Sequence, residues 1–260
     1  MINVYTLLYA RTEEDVAGNT LFFSTVKKGF PNSNIHVFDN NNSAQLQAIF
    51  SEKTEDIGGV FSSLEKEVYH HAFIANLIEL NSEPFYLIDP DTIWFDSMQT
   101  DFDSAIAGRL IPGFYEEFNQ ANLFPRIHTS CIYINPKEFK NLAASVKQSS
   151  SNLIDPYSFC WEDIWYKFDT FSKFYCAFSG HCKNFSESEN NKFAHLFCGT
   201  HISSVKDKMP ILLDMHQQTL QNMKYAQNLH KIQNEYFTQF PWKKTNLFVN
   251  DSNAGGLTKL

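Results

Sequence analysis

The sequence predicts an α/β protein built on an open sheet with flanking helices. Three observations predict it. Strand-like and helix-like patterns alternate along the first half of the chain, one strand candidate (Phe85-Tyr86-Leu87-Ile88) is apolar on both faces, and the strand–helix units are too few to close an eight-fold barrel.

Ile2 to Tyr9 is an apolar run, Thr12 to Lys28 a polar-amphipathic stretch, and Ile35 to Phe38 a second apolar run ending in Asp39. This reads strand, helix, strand. Thr12, followed three residues later by Asp15, opens the helix as a capping box would, with Asp in the place usual for Glu or Gln. Gly29 and Pro31 close it, and the connection to the next strand is short. Asn40-Asn41-Asn42-Ser43 caps a second helix that runs through about Phe50.

After Asp56-Ile57-Gly58-Gly59, read as a loop, Leu64, Val68, Ala72 and Ala75 keep helical spacing, which predicts a helix from about Ser63 to Leu80. Asn81, Ser82 and Pro84 stop it. Phe85 to Ile88 follows as a central parallel strand covered by helices. Further strands are expected at Ser104 to Ala107 and Thr129 to Ile134, and further helices at Pro136 to Lys147 and Phe159 to Phe168. From Pro210 the pattern changes: Leu220, Met223, Ala226, Leu229 and Ile232 recur every third residue, a stripe that drifts around a helix by about 60° per step. The tail from Asn250, with Gly255-Gly256, reads as loose.

The 260 residues, 43% hydrophobic, can bury one large core or two small ones and exclude disorder as the main state. With 29 acidic against 21 basic side chains, the formal charge of −8 has the wrong sign for a nucleic-acid-binding surface. The excess is aromatic: 25 Phe, 11 Tyr and 4 Trp predict a dense core and a ring-lined cleft. No stretch approaches the roughly 20 apolar residues of a membrane-spanning helix, and the acidic residues near the N-terminus come too early for a signal peptide. A soluble, cytoplasmic protein is expected. Cys131, Cys160, Cys176, Cys182 and Cys198 contain no C-x-x-C pair and read as reduced, mostly buried thiols. Glycine-rich phosphate loops of the ATP or NAD type are not found.

The sharpest chemical signal is Asp89-Pro90-Asp91, directly after the buried strand. Ligands of open α/β sheets bind beyond the carboxyl ends of strands. Pro90 fixes its own φ and pushes Asp89 toward an extended conformation, so the chain leaves the sheet stiffly. Two carboxylates held this way suit a hard divalent cation that shares its other positions with phosphate oxygens and water. The alternative at the level of these residues is a turn in which both carboxylates merely cap and solvate a loop.

This order of elements with its acidic pair resembles the GT-A fold of nucleotide-sugar-dependent glycosyltransferases. The likeness covers about Ile2 to Ser204 by order of elements, not by close identity. It implies a GT-A-like (Rossmann-like) open mixed sheet with flanking helices over residues 1–209, and a C-terminal helical extension and tail over 210–260. The activity implied is metal-dependent transfer of a sugar from a nucleoside diphosphate sugar, a UDP-sugar first, to a hydroxyl of a glycan, lipid-linked or protein acceptor. In such proteins the first strand, helix, strand unit holds the nucleotide. Thr6, Tyr9 and Arg11 inherit donor contacts, and Asp39, in Ile35-His36-Val37-Phe38-Asp39-Asn40-Asn41-Asn42-Ser43, stands beside base or ribose. The family's D-x-D, which holds Mn²⁺ or Mg²⁺ on the diphosphate, would be Asp89 and Asp91, with Asp91 the direct ligand and Asp89 serving ribose or metal.

Downstream, Phe124-Pro125-Arg126-Ile127-His128-Thr129-Ser130-Cys131-Ile132-Tyr133-Ile134-Asn135 resembles the segment whose polar turn touches the donor sugar, which assigns that contact to Thr129 and Ser130. Cys131 stands where glycine is more usual, so the sugar pocket would be narrower; an ordinary strand with an Asn-Pro helix start is the alternative. Phe159-Cys160-Trp161-Glu162-Asp163-Ile164-Trp165-Tyr166 resembles an acidic pair opening a helix on the acceptor side. Asp163 is the implied base and Glu162 its reserve, although acidic residues also simply favour a helix's first turn. His195-Leu196-Phe197-Cys198-Gly199-Thr200-His201 resembles the strand that completes the metal's coordination. Its glycine sits one position too far for His195, which keeps His201 in contention. His70-His71 and the other histidines read as surface residues.

Two other readings compete. Ile88-Asp89-Pro90-Asp91-Thr92 also resembles the nucleophile motif of haloacid-dehalogenase-like phosphohydrolases, with Asp89 attacking, but that motif normally opens its fold, and here whole strand and helix units precede it. The third reading is a non-catalytic sugar-binding module.

Overall fold

The computed structural model describes residues 1–116, 121–195 and 242–244. In chain order the elements are β1 (Ile2–Leu8), α1 (Glu13–Asn19), α2 (Leu21–Gly29), β2 (Ser33–Asp39), α3 (Ala44–Asp56), β3 (Val60–Ser63), α4 (His70–Leu80), β4 (Phe85–Ile88) and β5 (Thr92–Trp94). There follow β6 (Ile106–Ile111), β7 (Phe114–Glu116), β8 (Ala121–Leu123), β9 (Arg126–Ile134), α5 (Pro136–Ser145), α6 (Ser150–Ile154), β10 (Tyr157–Trp161) and β11 (Ile164–Phe168). The last are α7 (Ser172–Phe178), β12 (Cys182–Asn184), α8 (Glu187–Asn190), β13 (Phe193–His195) and β14 (Trp242–Lys244). The mixed α/β class with flanking helices is the one expected. The 209/210 boundary, the stripe from Leu220 to Ile232 and the glycine-containing tail lie outside the described residues. Among those described, no helix is long and apolar enough to cross a membrane.

The chain divides into two compact units. The first comprises Met1–Val68, Phe85–Thr100 and, among the described residues, 186–195. Its strands lie in the order β4-β1-β2-β3, all parallel. β4 is buried along its whole length, as a run apolar on both faces must be in such a sheet. The single helix expected over Thr12 to Lys28 is two, broken around Thr20. Asp15 does reach back as anticipated, its Oδ2 accepting from the backbone N–H groups of Arg11 (2.9 Å) and Thr12 (3.2 Å). The break has a cause in Asn19, whose side-chain amide donates to the carbonyls of Tyr9 and Asp15, while its Oδ1 accepts from the Tyr9 N–H. Phe22, in the first turn of α2, gives its N–H to the carbonyl of Pro90 (3.1 Å).

The helix expected from Ser63 begins only at His70. The reason is competition for backbone groups. Val60–Ser63 pairs in parallel with β2, the Leu64 N–H donates to the Asp39 carbonyl, and Asn40 bonds both the N–H and the carbonyl of Val68 through its side chain. The helical periodicity of Leu64 and Val68 is overridden because these groups complete the sheet edge first. α3 starts where expected, with the Ser43 hydroxyl accepting from Leu46 N–H, and runs on to Asp56 before Gly58 turns the chain at φ +62°.

The second unit comprises Tyr69–Pro84, Asp101–Phe185 and, among the described residues, 242–244. Here β6 lies between β12, parallel to it, and β9, antiparallel. A further sheet runs β10-β11-β8-β7-β14. α5 begins at the Asn-Pro pair, the Asn135 side chain accepting from Glu138 N–H. Phe139 and Phe174 stack at 4.0 Å in the core of this unit.

The helix expected over Phe159 to Phe168 is instead a β-hairpin, β10 and β11 joined at Glu162-Asp163. Alternation wins: Tyr157, Phe159 and Trp161 share one face with Ile164, Tyr166 and Phe168, and such aromatic cross-strand pairs stabilise a sheet. Glu162 (φ 51°) and Asp163 (φ 62°) supply the two left-handed residues that a tight hairpin turn requires.

Among the described residues, more than half of the aromatic side chains are core. Phe22, Phe30, Phe50, Phe85, Tyr86, Trp94 and Phe193 are fully buried in the first unit, and Tyr133, Phe139, Phe171 and Phe174 in the second. Phe85, Tyr86 and Trp94, which flank the acidic pair in sequence, are thus core and line no cleft. The four described cysteines form no disulfide. Burial pushes the Cys176 thiol up to about 12 and raises that of Cys182 as well, so both stay protonated at neutral pH, whereas Cys160 is exposed.

Candidate functional site

The site begins where β4 ends. Its fully buried residues run to Ile88, the chain leaves the sheet at Asp89, and Pro90 hands its carbonyl to the first turn of α2. The chain returns as β5, held by a hydrogen bond from Trp94 N–H to the Thr25 hydroxyl (3.0 Å). The Trp94 indole packs on Phe30 (4.9 Å) and Phe193 (5.1 Å), and against Gly29 so closely that a Cβ there would lie 2.6 Å from Cδ2. Glycine at 29 is thus what lets the indole seat and so fixes β5 against α2.

β13 then pairs antiparallel with β5, Phe193 opposite Trp94, Ala194 opposite Ile93 and His195 opposite Thr92. That register sets the imidazole beside the acidic loop. His195 Nε2 stands 3.0 Å from Asp91 Oδ1 and 3.6 Å from Asp89 Oδ2. One ligand atom from each of the three side chains falls within 4.8 Å of the others. Asp91 is 2% exposed and His195 is buried as well, with Asp89 partly open.

A carboxylate this buried needs compensating charge. One imidazolium can balance one of two carboxylates; a divalent cation balances both and accepts the imidazole as a neutral ligand. Two carboxylate oxygens with one imidazole nitrogen form a mixed oxygen and nitrogen donor set of the kind divalent metals take. These residues therefore fit a divalent cation, and of the two sequence candidates for the histidine, His195 is the one the structure brings to the aspartates. His201 lies outside the described residues.

A second polar knot in the same unit joins the loops after β1 and β2. The Arg11 guanidinium sits 3.7 Å over the Tyr9 ring and pairs with Glu67 at 2.6 Å. Asn42 accepts from Ala10 N–H at 2.8 Å and donates to the Leu8 carbonyl. Asp39 is fully buried, and its carboxylate accepts from the Asn42 backbone N–H (3.0 Å), the Asn42 side-chain amide and the Ser63 hydroxyl (3.3 Å). Three donors from its own chain satisfy Asp39, so it builds the loop. Thr6 is buried in the middle of β1, its hydroxyl without a partner among the described residues. Sequence reasoning took Asn42 only as part of a helix cap and passed over Glu67; the available signal was Asp39 followed three residues later by Asn42, a spacing that favours local side-chain-to-backbone bonds.

Thr129 and Ser130 belong to the second unit and lie inside β9 rather than in a turn before it. The expectation of irregularity there has a structural counterpart. Between the pairs Gly108–Ile132 and Leu110–Ile127, a two-residue step on β6 faces a five-residue step on β9, so residues 128–131 form an enlarged bulge. Cys131 is fully buried in it, and its carbonyl and Ile127 leave no room for a Cβ at Gly108. Glu162 and Asp163 also lie in the second unit, exposed at the tip of the hairpin. The helix start on which their reading as base and reserve rested is absent.

No protein-family model and no curated protein matches the sequence. Solved structures do. The bifunctional glycosyltransferase WbbM is matched at 12% identity and a TM-score of 0.46, over 71% of this chain and 38% of that one. The glycosyltransferase GlyE of Streptococcus pneumoniae TIGR4 is matched at 12% identity and 0.43, over 81% of this chain and 50% of that one. The galactosyltransferase LgtC, solved in complex with donor and acceptor sugar analogues, is matched at 12% identity and 0.41, over 70% of this chain and 73% of that one. The chain thus spans half or less of the first two.

Proposed function

We propose that this chain is a divalent-metal-dependent glycosyltransferase that moves a sugar from a nucleoside diphosphate sugar, a UDP-sugar first, to a hydroxyl acceptor. The observation that carries the reading is the meeting of Asp89, Asp91 and His195 at the carboxyl end of a parallel strand. Asp91 and Asp89 would hold the cation through carboxylate oxygens and His195 through Nε2. When bound, a divalent cation, Mn²⁺ before Mg²⁺, supplies positive charge that stabilises a departing diphosphate.

The rest is the work of the chain. Trp94, seated on Gly29 and Phe193, holds β5 and β13 in register and so keeps the three ligands preorganised. Tyr9 and Arg11 form the loop proposed to take the nucleotide, and Asp39 and Asn42 brace it. Thr6, Thr129 and Ser130 remain proposed donor contacts.

The test is a thermal-shift screen of UDP-, GDP-, CMP- and TDP-sugars with and without Mn²⁺, followed by assay of donor hydrolysis and transfer. A ligand that binds the native state alone must raise its stability. The expected result is a metal-dependent shift with one nucleotide class and turnover abolished by EDTA. Turnover that resists EDTA overturns the reading, and binding without any turnover favours a sugar-binding module instead.

A further inference from the structure

Arg11 and Glu67 pair at 2.6 Å between Nη2 and Oε2, yet their side chains are 38% and 53% exposed. An ion pair that open to water adds little to stability. Nor do the loops on either side depend on it. Asn42 Oδ1 accepts from the N–H of Ala10, the neighbour of Arg11, at 2.8 Å, and the Asn40 side chain bonds both backbone groups of Val68, the neighbour of Glu67. With the backbone pinned at both ends, the contact opens or closes by side-chain rotation alone. The guanidinium is held ready for it all the same. One face lies over the Tyr9 ring, Nη1 turns to the Ala10 carbonyl and to Asn42 Oδ1 at 3.4 Å each, and Nη2 is left for Glu67. The buried carboxylates of the same knot, Asp15 and Asp39, accept from backbone N–H, amide and hydroxyl donors, and among the described residues Glu67 is the one carboxylate paired with this guanidinium.

The place of this pair in the sheet matters. Arg11 stands just past the carboxyl end of β1, and Asp89 just past that of β4, its parallel neighbour in the same unit. Ligands of open α/β sheets bind along that edge. A carboxylate seated there on an exposed, preoriented guanidinium occupies what is chemically an anion site, because the planar fork takes carboxylate and phosphate oxygens in the same way. We propose that Glu67 is a positioning residue that competes with a phosphate for Arg11, taking the place of one phosphate oxygen and yielding it when a nucleoside diphosphate binds. That the anion is a nucleoside diphosphate rests on the function proposed above; the exchange of one anion for another at Arg11 does not. The consequence is selectivity. A ligand that touches Arg11 alone must displace a carboxylate already in place, whereas a diphosphate also anchored at Asp89, Asp91 and His195 meets Arg11 as the second of two linked contacts. Glu67 thus penalises anions that are anchored only once.

The experiment titrates the full chain in Mn²⁺ with UDP, GDP and TDP, and with uridine, guanosine and thymidine as phosphate-free controls, by calorimetry. Glu67→Gln is expected to tighten at least one of the diphosphates about fivefold, roughly what an exposed ion pair holds back. Its melting temperature and its affinity for the nucleosides should stay as in wild type. Arg11→Gln is expected to weaken the same diphosphate and, combined with Glu67→Gln, to cancel the gain, because Glu67 acts through Arg11. A purely structural role for Glu67 predicts the opposite sign, weaker binding with a lower melting temperature. That result overturns the proposal, as do unchanged diphosphate affinity, an equal gain with the matching nucleoside, a gain that survives Arg11→Gln, or binding of no diphosphate by wild type and variant alike. The two readings fail separately. A gain at Arg11 in a chain that turns over no nucleotide sugar would keep the exchange and overturn the transferase; EDTA-sensitive turnover with diphosphate affinity unmoved by Glu67→Gln would keep the transferase and overturn the exchange.

Discussion

His195 Nε2 lies 3.0 Å from Asp91 Oδ1, although more than a hundred residues separate them, because the antiparallel pairing of β13 with β5 puts His195 opposite Thr92, the neighbour of Asp91. Replacing either residue removes a contact of the other.

Mn²⁺ is expected to stabilise the wild-type chain through this pair. At a concentration about a hundred times the Kd, a one-site ligand adds ~2.7 kcal/mol. Asp91→Asn and His195→Ala should each remove most of that gain while leaving the metal-free chain folded. Thermal unfolding with and without Mn²⁺ measures it; equal shifts in wild type and both variants would show that the cation binds elsewhere.

Gly29→Ala is expected to destabilise by about 1–3 kcal/mol, the usual cost of overpacking. The added Cβ would meet the ring of Trp94, which is fully buried, at 2.6 Å. Gly180→Ala is the control. No atom lies within 4 Å of its added Cβ, so its change should stay within about 0.5 kcal/mol. Urea midpoints for the two variants decide the matter.

Replacing the hairpin turn by Asn-Gly, as Glu162→Asn with Asp163→Gly, is expected to raise stability by roughly 1 kcal/mol. Both positions have left-handed φ, which Asn and Gly adopt more readily than Glu and Asp. In a helix the same pair would cost about as much. The direction of the change in denaturant midpoint therefore separates hairpin from helix.

His36 should make stability depend on pH in the mildly acidic range. Its ring stacks on Tyr5 at 4.9 Å, and burial lowers its pKa below the ordinary value of about 6.5. The unfolded chain binds the proton more tightly than the native one. The stabilisation is thus complete above about pH 6.5 and is lost as the pH falls toward the lowered native pKa. His36→Phe should lose less stability than wild type between pH 7.5 and 5.5 in chemical unfolding; equal losses would place the titration elsewhere.

How much was legible in the sequence varies with the range of the forces involved. β1, β2, β4 and α5 were readable because a buried strand must be apolar and because Asn-Pro and Ser caps act within one turn. The aromatic hairpin was missed since acidic residues beside an apolar run suit a helix start equally well, and the choice fell to cross-strand ring pairing. The late start of α4 was missed because Asn40 claims both backbone groups of Val68 from 28 residues away.

By itself the sequence determined the α/β alternation, the stiff exit of Asp89-Pro90-Asp91 from a buried strand, and a short choice of histidines. These follow from periodicity, proline geometry and side-chain chemistry, all of which act locally. Tertiary structure alone decided that His195 joins the aspartates, that Asp39 spends its carboxylate on Asn42 and Ser63, and that Trp94 is core while Trp161 and Trp165 face water. Each of those outcomes depends on strand register or on which backbone donor arrives first, and pairing between distant segments leaves no mark in the spacing of either one.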